Sequence, residues 1–208
     1  MENGRPTKAL LNAIRGGKAS EAGNAHLVKF LLGVGADVNT TYEGSTAIHL
    51  AFEQGHLNVV RLLLENGADI NAYGENGTLL HSACMMGSLE HVKFLLKKSF
   101  GANVNETKGS SKETPLHLAS RRKSENIVKL LLEYGADVDA KCNQERTPMF
   151  AAAKRGLHKN VEMLLKYGAN MDSSDLAGKT PLHIAKTTPH STLFMQGSHI
   201  KKLRQSKS

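Results

Sequence analysis

The chain has 208 residues, which is enough for one domain or slightly more. Apolar residues make up 40% of it and charged residues 22%, a balance typical of globular rather than disordered proteins. It contains no uninterrupted apolar run of about 18 residues, which argues against a membrane span. Its two cysteines, Cys84 and Cys142, cannot supply a disulfide framework or a four-ligand zinc site.

The net charge of +8 comes entirely from the second half of the chain. Residues 1–105 hold nine basic and nine acidic residues, whereas residues 106–208 hold eighteen and ten. This asymmetry is a clue to the chemistry of a binding partner. The opening MENGRPTKALLNAIRGG lacks the apolar core and cleavage site of a secretory signal. We therefore expect a soluble cytoplasmic protein, with the nucleus as a second location.

Two short phrases recur along the chain with a common period. A phrase of the type TPLHLA places threonine at 46, 78, 114, 147 and 180, in steps of 32, 36, 33 and 33 residues. A second phrase, GAD or GAN, begins at 35, 67, 101, 135 and 168. Two phrases that share one period indicate a repeat architecture.

The repeat that begins near Thr114 shows what each phrase does. Threonine can accept a backbone N–H at a helix start, and Pro115 suits the first helical position. A second helix is predicted over ENIVKLLLEYG, whose apolar residues fall at helical spacing: Ile127, Val128, Leu130, Leu131 and Leu132. Gly135 ends that helix. One such repeat cannot bury its own leucines, so neighbouring repeats must stack.

In chain order, the period predicts an N-terminal arm over residues 1–6 and a degenerate capping repeat over 7–39. Four full repeats follow, and then a truncated capping repeat and a basic disordered tail: 40–71, 72–105, 106–139, 140–172, 173–200 and 201–208. Each full repeat is helix, short turn, helix and a polar connection that we interpret as an extended arm with a turn. The segment KASEAG, residues 18–23, is predicted to be an exposed loop inserted between the helices of the first repeat.

These phrases resemble those of the ankyrin-repeat family. The resemblance rests on four segments and covers roughly residues 7–188: GSTAIHLAFEQGHLNVVRLLLENGADIN at 44–71, TLLHSACMMGSLEHVKFLLKKSFGANVN at 78–105, TPLHLASRRKSENIVKLLLEYGADVD at 114–139 and TPMFAAAKRGLHKNVEMLLKYGAN at 147–170. It implies an all-α solenoid of stacked helix-turn-helix units with projecting β-hairpin loops. It also implies that partners bind at the hairpin tips and at the two residues after each TPLHLA phrase, which line a concave face.

On this resemblance, the candidate partner-binding residues change in character along the chain. The pairs after each phrase are Glu53 and Gln54, Met85 and Met86, Arg121 and Arg122, Lys154 and Arg155, and Lys186 with Thr187. The hairpin tips add Tyr42, Tyr73, Lys108, Lys112, Lys141 and Arg146. Methionine is adaptable at binding surfaces, and basic neighbours would steer an acidic ligand. The alternative is that the cations are only solvated and the methionines partly buried.

One residue departs from the pattern of the turn between helices. Gly55, Gly87 and Gly156 follow the first helix of their repeats, and Lys123 takes that place in the repeat 106–139. If the backbone there is left-handed, a lysine costs on the order of 1 kcal/mol.

The histidines and cysteines suggest structure rather than chemistry. Four histidines share one place in the phrase, and Phe150 fills it in a fifth: His49, His81, His117 and His183. That place is therefore a packing position, and each histidine is expected to bond to backbone in its own repeat or in the next hairpin. Cys84 replaces a small core residue and is expected to be buried. No catalytic or phosphate-binding motif is present, so we expect neither an enzyme nor a cofactor.

The interpretation that fits best is a monomeric protein-interaction module, an adaptor or a masking inhibitor, whose partner has apolar and acidic features. A nucleic-acid-binding protein is the alternative that the basic second half suggests. It is weakened because the basic positions lack the aromatic residues on which bases stack. A fragment of a larger ankyrin-repeat regulator is a further alternative.

Overall fold

The computed structural model describes residues 4–16 and 21–186. These residues form two compact lobes. The first lobe contains the described residues up to Leu79 together with Lys98–Ala102, and the second contains Leu80–Lys97 and the residues from Asn103 onward. The division therefore falls inside the repeat predicted over 72–105. No helix in the described part of the chain is both long and apolar enough to cross a bilayer.

The first lobe consists of two helix pairs and a hairpin. Its elements are α1 (Gly4–Arg15), α2 (Glu21–Gly33), β1 (Thr41–Tyr42), β2 (Ser45–Thr46), α3 (Ala47–Glu53) and α4 (Leu57–Glu65). The two strands are antiparallel, with Tyr42 opposite Ser45. Between them, Glu43 and Gly44 have φ values of 50° and 79°. Two left-handed residues at a two-residue tip match the twist of the flanking strands.

The second lobe repeats the same order of elements, with an isolated antiparallel bridge between Lys108 and Glu113 in place of paired strands. A helix α5 (Leu79–Met86) leads into it, and the remaining elements are α6 (Leu89–Leu95), a 3₁₀ turn over Gly109–Ser111, α7 (Pro115–Ser120), α8 (Glu125–Glu133), α9 (Pro148–Lys154), α10 (His158–Lys166) and α11 (Pro181–Lys186). In α8 the predicted apolar stripe is buried at Ile127, Val128, Leu131 and Leu132 and half-buried at Leu130. The repeated helix-turn-helix arrangement that the period predicts is confirmed.

Two predicted loops are helical in the structure. Because α1 begins at Gly4 and α2 at Glu21, the arm predicted over 1–6 is wrong at residues 4–6, and the loop predicted over 18–23 is wrong at residues 21–23. Pro6 is tolerated in the first turn of α1, where its missing N–H has no helical partner to lose. The rest of both segments, the tail over 201–208 and the final repeat beyond residue 186 lie outside the described residues.

The turn at Lys123 is not left-handed, so the condition under which a lysine would be strained there is not met. Among the described residues other than glycine, positive φ occurs at Glu43, Lys112 and Glu145. In glycine-containing turns the chain reaches back to the helix, as where His56 N–H donates to Ala51 O over 2.9 Å. At Lys123 the next residue, Ser124, instead donates its N–H to Arg122 O over 2.8 Å. The turn closes by a different bond and needs no glycine.

A buried asparagine from the following repeat completes this turn. Asn160 is only 1% exposed, and its Nδ2 donates to Ser120 O over 3.0 Å and to Arg122 O over 2.7 Å. The corresponding residue is apolar in three other repeats, at Leu27, Val59 and Ile127, and is His91 in the repeat 72–105. The amide therefore stands at a core position because the turn before it presents carbonyl groups to the core. Buried carbonyls of this kind need a donor.

In three repeats a histidine connects the helix pair to the next hairpin. Thr114 donates its N–H to His117 Nδ1 over 3.2 Å, and His117 Nε2 lies 2.9 Å from Arg146 O. Since Nδ1 accepts, the proton sits on Nε2, which donates to the carbonyl. Equivalent bonds join His49 to Gly77 O and His81 to Glu113 O, both at 3.1 Å. These contacts, which we call histidine bridges, confirm the structural interpretation of the histidines.

Burial keeps the bridging rings neutral. Burial lowers the pKa of His49, His81 and His117, although the hydrogen bond to a carbonyl partly opposes this effect. At the first bridge the chain passes so close that a Cβ on Gly74 would stand 2.7 Å from the His49 ring. Such a contact leaves no room for any residue but glycine at that place.

A second set of bonds links the GAD and GAN phrases of consecutive repeats. Asn105 Oδ1 accepts the Asp137 N–H over 2.8 Å, and its Nδ2 donates to Gly135 O over 3.1 Å. Asn39 makes the same two bonds in the first lobe. Asp139 holds this place in the next repeat and accepts the Asn170 N–H over 2.8 Å, but a carboxylate has no proton to donate.

Protonation of the bridging histidines should destabilise the protein in mild acid. Below about pH 6.5 the unfolded histidines take up protons that the folded ones, with lowered pKa values, do not. The free energy of unfolding therefore falls as pH decreases from about 6.5. His117→Phe, which copies Phe150, removes one such group, so urea unfolding should show a smaller loss between pH 7 and pH 5 than in the parent. An equal loss in both proteins would contradict this prediction.

Asp139→Asn should stabilise the second lobe. The amide keeps the oxygen that accepts from Asn170 and gains a donor for Gly168 O, a bond worth about 0.5–1.5 kcal/mol. The variant should raise the urea midpoint with an unchanged m-value. Asn105→Asp is the matched reverse change and should lower the midpoint. A midpoint that does not move in either variant would show that these exposed bonds add nothing.

Two lysines allow a matched test of backbone strain. Lys112 has φ 52°, whereas Lys123 is not left-handed. Lys112→Gly removes the strain of a left-handed side-chain-bearing residue and should stabilise the fold by about 0.5–1 kcal/mol. Lys123→Gly relieves no strain and only raises the conformational entropy of the unfolded chain, so it should destabilise the fold by a similar amount. Both changes remove one exposed charge. Thermal melts that shift in the same direction for both variants would refute the difference between the two turns.

Candidate functional site

In the second lobe, three pairs of candidate residues lie at the carboxyl ends of the first helices of successive repeats. Met85 and Met86 end α5, Arg121 and Arg122 follow α7, and Lys154 and Arg155 stand at the end of α9. We call these six residues the helix-end row. The backbone carbonyls at a helix end favour cations, which accounts for part of the basic character of the row. That effect does not account for the methionines.

The two methionines are presented differently. Met86 is 47% exposed, whereas Met85 is half-buried and its Sδ lies 3.7 Å from Lys108 Nζ. Arg122 lies over the residue that follows Met86, since its Nε is 3.7 Å from where a Cβ on Gly87 would stand. The Arg122 side chain therefore reaches the residue that directly follows the exposed methionine.

Arg121 is held by an acidic neighbour. Its Nη1 lies 2.9 Å from Glu113 Oε1, and the two side chains are 36% and 26% exposed. Glu113 is itself fixed, because its carbonyl accepts bonds from the His81 ring and the Lys108 N–H. The charge of Arg121 is thus largely neutralised within the lobe.

The other three cations of the row remain available. Arg122, Lys154 and Arg155 are exposed and form no ion pair within the described ranges. Together with Met86 they make a surface that is apolar at α5 and positive from α7 to α9. Such a surface can attract carboxylates and receive one apolar side chain.

Arg146, a candidate tip residue, is part of the internal structure. Phe150 takes the place of a bridging histidine and cannot bond to the next hairpin, so the guanidinium of Arg146 stacks 5.0 Å from its ring centroid. Arg146 also bonds Gln144, and its Nε lies 3.3 Å from Asp175 Oδ2 in the following hairpin. The stacked arginine therefore replaces the missing histidine bridge.

Asp175 receives this arginine in a buried loop. Burial alone would raise the pKa of Asp175, but hydrogen bonds from the Lys179 and Ala177 N–H groups and from Arg146 outweigh it and lower the pKa. The carboxylate is thus ionised and fully bonded. The stretch QERTPMFAAA held the signal for this arrangement, an arginine four residues before a phenylalanine that replaces histidine.

The remaining tip candidates of the second lobe differ in exposure and pairing. Lys108 is half-buried beside Met85, and Lys112 is exposed. Lys141 is exposed and pairs with Glu145 at 2.8 Å. Of these three, Lys112 offers an unshared charge to a partner within the described part of the chain.

Four candidates belong to the first lobe, and one lies at the end of the described chain. Tyr42 is half-buried under the Arg15 guanidinium, 4.4 Å from its ring centroid. Tyr73 is 47% exposed, and Glu53 and Gln54 are exposed at the end of α3. Lys186 is the last residue of α11, and its neighbour Thr187 lies outside the described residues.

Groups suited to catalysis or metal binding are limited in this structure. The Cys84 thiol is completely buried, and burial raises its pKa. In residues 4–16 and 21–186, no three histidine, cysteine, aspartate or glutamate side chains are grouped as metal ligands would be. What the described surface offers is therefore shape, charge and exposed apolar side chains.

Comparison with known proteins finds a family model and many solved structures that match this chain. The family model described as ankyrin repeats (3 copies) matches residues 7–74, 72–142 and 139–192. The chain is similar to the crystal structure of the human ASB11 ankyrin repeat domain, with a TM-score of 0.70 and 30% identity over 86% of this chain and 80% of that one. No curated protein matches the sequence.

Proposed function

The chain belongs to the ankyrin-repeat family, and from this premise we propose that it is a non-catalytic adaptor, or an inhibitor that masks its partner by covering it. Ankyrin repeats are in general protein–protein interaction modules. The proposal places the interaction in the second lobe, on the helix-end row. Its cellular setting is the cytoplasm, with the nucleus as a second location.

One observation carries the choice of surface. Exposed Met86 lies in one row with Arg122, Lys154 and Arg155, at the helix ends of successive repeats, and these three cations form no ion pair within the described residues. Adjacent repeats thus present different chemistry at the same position, as a surface selected for one partner would. The bonds to Lys108 and Glu113 hold Met85 and Arg121 in place, so these two residues shape the site without supplying its free charge.

The partner that this surface fits has one apolar anchor and several carboxylates. The apolar side chain would pack on Met86, and acidic residues would run toward Lys154 and Arg155. The exposed cations are expected to govern the rate of encounter, because charges at the rim of an interface act mainly on association. The methionine, once covered, is expected to govern dissociation.

Peptide selection on the full chain tests this proposal. A display library of random 16-residue peptides, about the length that spans several repeats, is selected on the parent and on the variant Arg122→Glu, Lys154→Glu, Arg155→Glu. We expect the parent alone to enrich peptides with one apolar residue and several aspartates or glutamates. The control reverses three lysines of the second helices in the same lobe, Lys129, Lys159 and Lys166, and should select the same peptides as the parent.

Kinetics on an enriched peptide separate the two parts of the surface. Charge reversal should slow association and flatten its salt dependence. Met86→Ala should instead speed dissociation, and the resulting loss of binding free energy should be about 1–3 kcal/mol. Equal binding by the parent and the reversed variant across salt concentrations would exclude the helix-end row. Preferential binding of single-stranded DNA with a steep salt dependence would favour the nucleic-acid alternative.

A further inference from the structure

The first repeat carries an apolar ridge on the outer side of its second helix. Leu27, Phe30 and Val34 are 46%, 64% and 51% exposed. Their spacing of three and four residues places them on one face of α2 and its carboxyl end. Single exposed apolar residues are common, but three on one face form a patch of the kind that marks an interaction site.

Leu27 and Phe30 occupy positions that are better covered in the next repeat, at Val59 and Leu62, whereas the counterpart of Val34 is exposed there as well. Leu27 corresponds to Val59, which is 1% exposed in the same lobe. In the second lobe the corresponding residue is Asn160, and its amide bonds to Ser120 O in the preceding repeat. This face of a second helix is therefore the one on which a preceding helix pair stacks. Within the described residues, no helix pair covers it in the first repeat.

A basic helix packs against the helix that carries the ridge. Helix α1 packs against α2 and has the sequence GRPTKALLNAIR, which contains no acidic residue. Arg5, Lys8 and Arg15 are exposed, and their spacing places them on one face with exposed Asn12. Arg15 is held over the Tyr42 ring at 4.4 Å. These cations oppose the approach of a second copy of the same helix and favour an acidic one.

We propose that the ridge docks an acidic amphipathic helix of a partner protein. The apolar side of that helix packs on Leu27 and Phe30, and its carboxylates face Arg5 and Lys8. A helix fits because the part of the ridge at Leu27 is the surface that a preceding helix pair covers elsewhere in the same chain. This site lies in the first lobe and uses no residue of the helix-end row, so it goes beyond the function proposed above.

A synthetic helix serves as the probe. The full 208-residue chain is titrated into a fluorescein-labelled peptide of about 20 residues, with leucine at i, i+4, i+7 and i+11 and glutamate or alanine elsewhere. Two controls are a peptide of the same composition with scattered leucines and one with lysine in place of glutamate. We expect saturable binding of the acidic amphipathic peptide alone, weaker at high salt.

Matched variants locate the site. Phe30→Ser should weaken binding at least tenfold, and Arg5→Glu with Lys8→Glu should weaken it at low salt. Leu176→Ser removes an even more exposed apolar side chain, 74% exposed in the second lobe, and should bind like the parent. The charge-reversed helix-end-row variant should also bind like the parent, which separates this site from the one proposed above. Thermal melts confirm that each variant is folded.

Three results would overturn the proposal. One is unchanged affinity in Phe30→Ser, or equal binding of the peptide with scattered leucines. Another is a dimer in sedimentation that Phe30→Ser dissociates, which would make a second copy the occupant. The third is maleimide labelling of Phe30→Cys more than tenfold slower than that of Leu176→Cys, which would mean that the chain itself covers the ridge.

Discussion

Each lobe depends on the bond from a buried histidine to the carbonyl of the next hairpin. The threonine at the helix start positions the imidazole, and the imidazole in turn holds a backbone group some thirty residues away: 28 residues for His49, 32 for His81 and 29 for His117. This contact sets the distance between a helix pair and the hairpin that follows. The leucine stripes can close on each other only when that distance is correct, because packed cores tolerate little mismatch.

Where the histidine bridge is missing, other groups restore the connection. Phe150 has no donor, and the guanidinium that stacks on its ring extends to a buried carboxylate in the next hairpin. Where the glycine turn is missing, Ser120 and Arg122 present carbonyls to the core and Asn160 supplies the donor. In both places one departure from the repeat pattern is matched by a second departure in the adjoining repeat, because a buried polar group must find a partner.

The period and letters of the sequence were sufficient to predict the helix pairs, the buried stripes and the histidine contacts. These features depend on local spacing, and a repeat shows the same spacing several times. The ends of α1 and α2 could not be predicted in this way, since the first repeat departs from the pattern and helix formers such as Ala22 extend α2 toward its start. The conformation of Lys123 was missed because it depends on Asn160, which is distant in sequence.

The candidate surface was only partly visible in the sequence for the same reason. The six residues of the helix-end row could be located by counting from the repeated phrase. Counting could not show that Glu113 neutralises Arg121, because that pair depends on how a hairpin folds back on its own repeat. Nor could counting show that Leu27 in α2, the counterpart of buried Val59, is exposed. The exposure of a residue depends on what packs against its repeat and not on the sequence of that repeat alone.

The bonds from Asn160 also bear on how such a chain can change during evolution. Repeat arrays grow and shrink by duplication or loss of whole modules, and most junctions between modules are alike. The junction that the Asn160 hydrogen bonds cross is different. The Asn160 amide donates to two carbonyls, Ser120 O and Arg122 O, that the turn at Lys123 presents to the core. A module of the common type inserted there would place its glycine turn against Asn160, whose amide would then lack these acceptors. On its other side the module would face the turn at Lys123, whose carbonyls would then lack a donor. These two neighbours should therefore tolerate exchange only as a pair, whereas junctions of the common type should accept an inserted module.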